Sequence, residues 1–365
     1  MNQPNRIKVC FVILKAYPLF NPKIRSVTGG AEVDLYLLAK ALAKDPSFDV
    51  RFVLGDYDQA PVEVIDNVTL IKSVNVKGNL FLGGYKIWKA LKQADADIYF
   101  TECVSLGMSL YSIFCKVYNK KFIYRTAHTR ECDGTYLKSK FFRGHCFLKT
   151  LRSADVVLTQ NVSDKNSLYQ TTGVSTEVIK GACDIPDSNI KSKAGALWVA
   201  RSAGFKRPLL FIKLARQFPQ HQFTMICQKA FNDTFFDQVK NEATSLSNID
   251  FITHVDFSEI DKYFIKAKVF VSTSDSEGFP NTFVHAAKCS TPILSLAVNP
   301  DNFLNKHACG WCADDDWNQF ESLFTAVMDQ EVGSNAGING KKYIENNHDT
   351  KKIIERYKDI FKSLM

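Results

Sequence analysis

The sequence predicts an α/β protein of two domains, each a mostly parallel sheet covered by helices on both faces. Three observations predict it. The chain has 365 residues, more than a single hydrophobic core usually holds. Short runs rich in Val, Ile, Phe and Leu recur along it, continuous rather than alternating, as strands buried on both faces require. Stretches with helical spacing stand between those runs, so strand and helix alternate. Apolar residues make up 45% and charged residues 23%, a balance that excludes a disordered chain.

In the first half the strands fall at 8–14, 50–55, 97–101, 121–125, 156–160 and 178–180. The first has Arg6 and Lys8 ahead of an apolar run, 9–14, that is too short for the core of a signal peptide. No apolar stretch approaches the ~20 residues of a membrane span, so a cytoplasmic protein is expected. Leu35, Leu38, Ala39 and Leu42 recur at i, i+3, i+4 and i+7, one face of a helix. The alternation breaks at 182–194, a polar segment with a proline and lysines, which reads as a linker.

In the second half the strands fall at 197–200, 222–227, 249–253, 269–273 and 292–296. Between the first two, 207–218 is a helix that sets Leu210, Ile212, Leu214 and Ala215 among cations and stops before Pro219. The domains are therefore 1–181 and 195–348, with a final helix at 349–365. Ligands of open parallel sheets bind at the carboxyl ends of the strands, so two such domains are expected to face each other across a deep cleft.

The net charge of +8 lies wholly in the first half, where residues 1–185 hold 25 Lys and Arg against 17 Asp and Glu. Such a half suits an anionic surface or partner. Ten cysteines, scattered and without an export signal, read as buried reduced thiols. Cys309 and Cys312 make one Cys-x-x-Cys, but no second pair accompanies it to complete a zinc site.

Four segments hold residue types suited to chemistry. Arg201 and Lys206 follow the strand at 197–200, where a guanidinium and an ammonium are placed to clamp a diphosphate. Spacing alone is also met by a solvated loop. The strand at 269–273 runs into Asp275-Ser276-Glu277-Gly278-Phe279-Pro280-Asn281-Thr282. There Gly278 suits a tight turn, Pro280 a helix start, and the amides of Asn281 and Thr282 a phosphate. Glu277 either projects toward a ligand or simply favours the helix dipole. Gly29 and Gly30 open the helix of Leu35 and let a ligand approach the backbone closely. His128 lies in the segment after the strand at 121–125, as a catalytic or a structural imidazole.

Together these pieces resemble the retaining glycosyltransferases of the GT-B fold, family 4. Gly29-Gly30-Ala31-Glu32 matches that family's glycine loop, and Trp198 to Arg201 through Lys206-Arg207-Pro208 its Gly-Arg…Lys phosphate clamp, with Ala200 in place of the usual glycine. Residues 275–282 match its EGFPN segment, and 339–348 its ending, after which a final helix generally crosses back to the first domain. The resemblance implies a GT-B architecture and transfer of a sugar from a nucleotide-sugar donor without a metal or other cofactor. Arg201 and Lys206 would neutralise the leaving diphosphate, and Glu277 would bind hydroxyls of the donor sugar. His128 would sit beside that sugar, and the Gly29–Gly30 backbone beside the diphosphate. Gly278, Phe279, Asn281 and Thr282 would complete the donor site. A phosphate oxygen would take the acceptor's proton.

One position departs from the family. Its second glutamate, eight residues after the first, is His285 here. One turn into the helix, that side chain tilts back toward the pocket, where the family's glutamate holds the ribose. An imidazole lacks the carboxylate's charge and its paired acceptors. A nucleotide-sugar-binding protein with impaired turnover is therefore the rival reading, and a sugar-nucleotide epimerase a third. The acceptor is expected to be a saccharide or lipid-linked sugar in surface polysaccharide synthesis, with no nucleic acid involved. Residues 136–152 put Leu137, Phe141, Leu148 and Leu151 on one helical stripe flanked by Lys138, Lys149 and Arg152, with Phe142 nearby. Packing on the sheet accounts for the stripe, and peripheral contact with the inner face of a membrane would account for the cations.

Overall fold

The computed structural model describes residues 6–24, 28–75, 80–139, 141–186, 193–230, 233–329 and 334–365. They form two compact units, Met1–Ala182 with Thr350–Met365, and Cys183–Asp349. Of the expected linker at 182–194, residues 187–192 lie outside the described residues.

Unit 1 runs β1 (Ile7–Val12), α1 (Tyr17–Phe20), α2 (Gly30–Leu42), β2 (Phe48–Leu54), β3 (Val62–Ile65), β4 (Val68–Lys72), α3 (Leu80–Ala94) and β5 (Ile98–Glu102). It continues with α4 (Leu106–Val117), β6 (Lys121–Arg125), α5 (Thr135–Ser139), α6 (Phe141–Ser153), β7 (Val156–Thr159), α7 (Val162–Thr172) and β8 (Glu177–Val178). The eight strands lie in the order β3-β4-β2-β1-β5-β6-β7-β8, parallel except for the β3–β4 hairpin. Val9 and Phe11 point into the core on one face and Cys10 and Val12 into the core on the other, so β1 is apolar from Val9 to its end. Helix α2 covers the first face, and α3, α4 and α6 the second.

Unit 2 runs β9 (Ala196–Arg201), α8 (Pro208–Gln217), β10 (Phe223–Gln228), α9 (Phe236–Thr244), β11 (Ile249–Ile252), α10 (Asp261–Lys266) and β12 (Val269–Ser272). Then come α11 (Asn281–Lys288), β13 (Ile293–Ser295), α12 (Phe303–Lys306), β14 (Gly310–Cys312), α13 (Trp317–Asp329) and α14 (Ser334–Asn347). Its six strands are all parallel, in the order β11-β10-β9-β12-β13-β14. The last helix, α15 (Thr350–Ser363), returns to unit 1 and buries Ile353, Ile354, Tyr357 and Phe361 in the same core as α2. At the crossing, Cys183 N–H donates to His348 O at 3.1 Å and a parallel bridge joins Cys183 to Asp349.

One expectation changes. Residues 136–152 form two helices, α5 and α6, rather than one. Gly144 explains the fold-back, because a Cβ there would stand 2.6 Å from Leu137 O. The Cys-x-x-Cys is buried and reduced as expected, with Cys309 just before β14 and Cys312 at its end, and Gly310 between them faces β13 so closely that a Cβ would fall 2.1 Å from Ile293 O. Burial pushes the Cys309 and Cys312 thiols up to about 12 and about 11, so both stay protonated near neutral pH.

Candidate functional site

In unit 2, β10 lies on one side of β9 and β12 on the other, which makes the β9–β12 boundary the topological switch point. The loops leaving these two strands are bonded to each other. Thr273 Oγ1 donates to Lys206 O at 2.7 Å and accepts from the Trp198 indole at 3.0 Å. Asp275 N–H donates to Phe205 O at 2.9 Å. Arg207 adopts left-handed φ of 47° and donates through Nε to Thr273 O at 2.6 Å, which turns the chain into α8 at Pro208.

This framework holds Lys206 against Glu277. The ammonium donates to Glu277 Oε1, and the two side chains are only 16% and 12% exposed. Arg201 is the last residue of β9, at the same edge. Gly278, Phe279 and Pro280 are buried, with Pro280 as the residue before α11. Phe279 turns its ring inward against Phe303 and His348, at 5.3 Å from each, so this residue meets the site through its backbone. Asn281 and Thr282 form the first turn of α11, at the positive end of the helix. Ser276 Oγ is shielded from solvent without a hydrogen-bond partner, an orphan group in the middle of the loop.

His285 sits one turn into α11, and Asp261 at the start of α10 determines its surroundings. Its Nδ1 is 2.6 Å from Asp261 Oδ1, and Lys288 Nζ is 2.7 Å from Asp261 Oδ2. The ring stacks on Phe264 and meets the edge of Phe257. Burial works against charge on Asp261, but the bonds and charges of His285 and Lys288 outweigh it and hold the carboxyl below its ordinary value. The bond at Nδ1 fixes the orientation of the ring at the start of α11.

Unit 1 has its own switch point, between β1 and β5. Gly29 precedes α2, and its N–H donates to Glu32 at 2.8 Å. Asp34 on the next turn pairs with Arg125 at 2.7 Å, and Arg125 also meets Glu102 at 3.0 Å, at the ends of β6 and β5. Burial opposes the charge on Arg125, but Glu102 and Asp34 keep it protonated. Gln160 donates to Glu102 at 3.2 Å. Arg125 Nε and Thr126 Oγ1 are buried without a partner. His128 lies three residues past β6, where its Nδ1 accepts from Arg130 N–H at 3.1 Å. Behind this loop Glu131 accepts from Tyr124 O–H at 2.5 Å and from Ala127 N–H at 3.3 Å. Burial pushes Glu131 up to about 7, against the bonds from Tyr124 and Ala127.

The structure thus joins Lys206 with Glu277 and sets Arg201, Gly278, Asn281 and Thr282 at the same strand ends. Gly29, Gly30 and His128 belong to unit 1. Sequence reasoning missed Asp261, Asp34, Glu102 and Glu131. The partners of Asp34, Glu102 and Asp261 stand 91, 23 and 24 residues away in the chain, and the one available signal was a carboxylate, Glu102, closing an apolar strand.

Residues 185–347 match the family model described as glycosyl transferases group 1. No curated protein matches the chain in sequence. Among solved structures, sucrose-phosphate synthase of Thermosynechococcus elongatus is similar with a TM-score of 0.80 at 16% identity, covering 98% of this chain and 99% of that one. HepE of Anabaena, solved with UDP, gives 0.70 at 15%, covering 98% and 100%. A trehalose-6-phosphate protein of E. coli, bound with UDP-2-fluoro glucose, gives 0.71 at 12%, covering 97% and 99%. These likenesses show a GT-B fold of two Rossmann-like units.

Proposed function

We propose that this protein, whose residues 185–347 form a glycosyl transferases group 1 domain, moves a sugar from a nucleotide-sugar donor to an acceptor with retention of configuration. The carrying observation is the Lys206–Glu277 pair at the switch point of unit 2, beside the first turn of α11. Lys206 and Arg201 neutralise the diphosphate as the glycosidic bond breaks, electrostatic work that commonly dominates such catalysis. The amides of Asn281 and Thr282 add to it from the helix end. Glu277 orients the donor sugar, and His285, held at Nδ1 by Asp261, meets the ribose. In unit 1, His128 and the Gly29–Gly30 backbone are the residues proposed for donor binding. With two cations on the leaving group, no metal is required and activity survives EDTA.

The acceptor is a saccharide or lipid-linked sugar in surface polysaccharide synthesis, and residues 136–152 touch the cytoplasmic face of the membrane. The UDP and UDP-2-fluoro glucose of the solved neighbours make UDP-sugars the first donors to try. His285 favours a second reading, a nucleotide-sugar-binding protein with impaired turnover. A panel of UDP-, GDP- and ADP-sugars, scored for thermal stabilisation and for sugar release, separates the two. A donor at 100 times its Kd adds about 2.7 kcal/mol. Stabilisation with no transfer to any acceptor supports the second reading; absence of both removes the donor assignment.

A further inference from the structure

The surplus positive charge of the chain is gathered on one face of unit 1, and we infer that this face docks on an anionic phospholipid bilayer. The face is the outer surface of the helical layer formed by α3, α4, α5 and α6. These helices lie side by side. Trp88 of α3 meets Phe114 of α4 at 5.1 Å. Ser109 and Ser112 of α4 bond Thr150 and Ser153 of α6 at 2.9 and 2.8 Å. Their inner sides join one core against the sheet, so their outer stripes share a surface.

Every charged side chain within these four helices is a cation. Helix α3 contributes Lys86, Lys89 and Lys92, and α4 contributes Lys116. Helices α5 and α6 add Lys138, Arg143, Lys149 and Arg152. All eight are exposed, and the four helices hold no Asp or Glu. The opposite layer differs: α2 carries Glu32 and Asp34, and α15 mixes Glu355 and Asp359 with its cations.

Large apolar side chains protrude among the cations. Leu82 and Tyr85 stand on the stripe of Lys86 and Lys89, and Leu106, Ile113 and Val117 on one stripe of α4. Phe142, near the start of α6, is 74% exposed. A bilayer interface accepts both kinds of side chain, the apolar ones in the acyl boundary and the cations among headgroup phosphates. A nucleic acid would use the cations but leave the aliphatic side chains in water. Among the described residues no helix is long and apolar enough to cross a membrane, so the contact is peripheral. The inference rests on and widens the membrane contact proposed for residues 136–152, and a binding assay without turnover keeps its failure distinct from a failure of sugar transfer.

The test is co-sedimentation of the full chain at low salt with vesicles of equal parts phosphatidylglycerol and phosphatidylcholine, and with phosphatidylcholine alone. Binding to the first and not the second is expected. The triple variant Lys86→Glu, Lys89→Glu, Lys149→Glu should lose about 100-fold in partition, since each cation near such a surface contributes about fivefold. A control with the same charge change on α15, Lys351→Glu, Arg356→Glu, Lys362→Glu, should stay close to the parent. Leu82→Ser with Phe142→Ser should make the remaining binding more sensitive to salt. Three results would overturn the inference: no sedimentation of the parent, equal loss in the control triple, or displacement of the parent from vesicles by duplex DNA that it binds more tightly.

Discussion

At His285 the site depends on a neighbour rather than on the residue itself. Asp261 already occupies one side of the ring at 2.6 Å. Placing a glutamate there would set two carboxylates together in a partly buried position, and like charges at such range disfavour ionisation of both. His285→Glu is therefore expected to lower the melting temperature and weaken donor binding, whereas His285→Gln loses about 0.5–1.5 kcal/mol of binding, the net worth of one hydrogen bond. Calorimetry on both variants checks this. The donor cations give a sharper readout. Arg201→Ala and Lys206→Ala should each cut turnover by roughly 10²-fold, and near-normal turnover at saturating donor would remove them from the mechanism. Glu131 affects stability through pH. Its carboxyl rises from 4.5 to about 7 on folding, so the native state binds more protons than the unfolded state between those values. Its contribution is most favourable below 4.5 and falls as pH rises to about 7, by a few kcal/mol at about 1.4 kcal/mol per pH unit. Glu131→Gln keeps an acceptor for Tyr124 and Ala127 and should flatten that slope in urea titrations run across this range.

At the level of elements, the strands buried on both faces were legible in the sequence because they read as unbroken apolar runs: 8–14 became β1 and 121–125 became β6, each within two residues. The β3–β4 hairpin was not legible. Val62 and Val64 of its edge strand are exposed, and the hairpin turns on Asp66 and Asn67, both at positive φ, a signal easily passed over. Strand β14 is only three residues long and coincides with a Cys-x-x-Cys that drew notice for its sulfurs. Its glycine is the part that matters. Gly310→Ala would push β14 away from β13 and should cost about 1–3 kcal/mol or more, measurable as a lower urea midpoint. The site was legible where side chains sit at strand ends, as Arg201 and Glu277 do, and illegible where it depends on helix neighbours. Asp261 on α10 meets α11 only because both helices pack on one sheet. Lys193 belongs with these hidden contacts, donating to Cys289 O, Ser290 O and Thr291 Oγ1 at the end of α11.

At the scale of the molecule, the path of the chain matters more than any single contact. Unit 1 is closed by its last helix, whose Ile353, Ile354, Tyr357 and Phe361 are each less than 6% exposed. At about 1.5–3 kcal/mol per large apolar side chain, removing residues 350–365 would forfeit stability comparable to that of a whole domain. The truncated protein should show rapid hydrogen exchange in β1 and β2 while β9, β10 and β12 stay protected. The same path has a consequence for synthesis. The polypeptide leaves unit 1 at Ala182 and re-enters it at Thr350, with all of unit 2 between. A ribosome adding ~5–20 residues per second needs roughly 10–30 s to cover that interval. Throughout it the α2 side of the first sheet lacks the helix that covers part of it, while unit 2 can be finished as it emerges. Unit 1, translated first, can complete its fold only after all of unit 2 has been made.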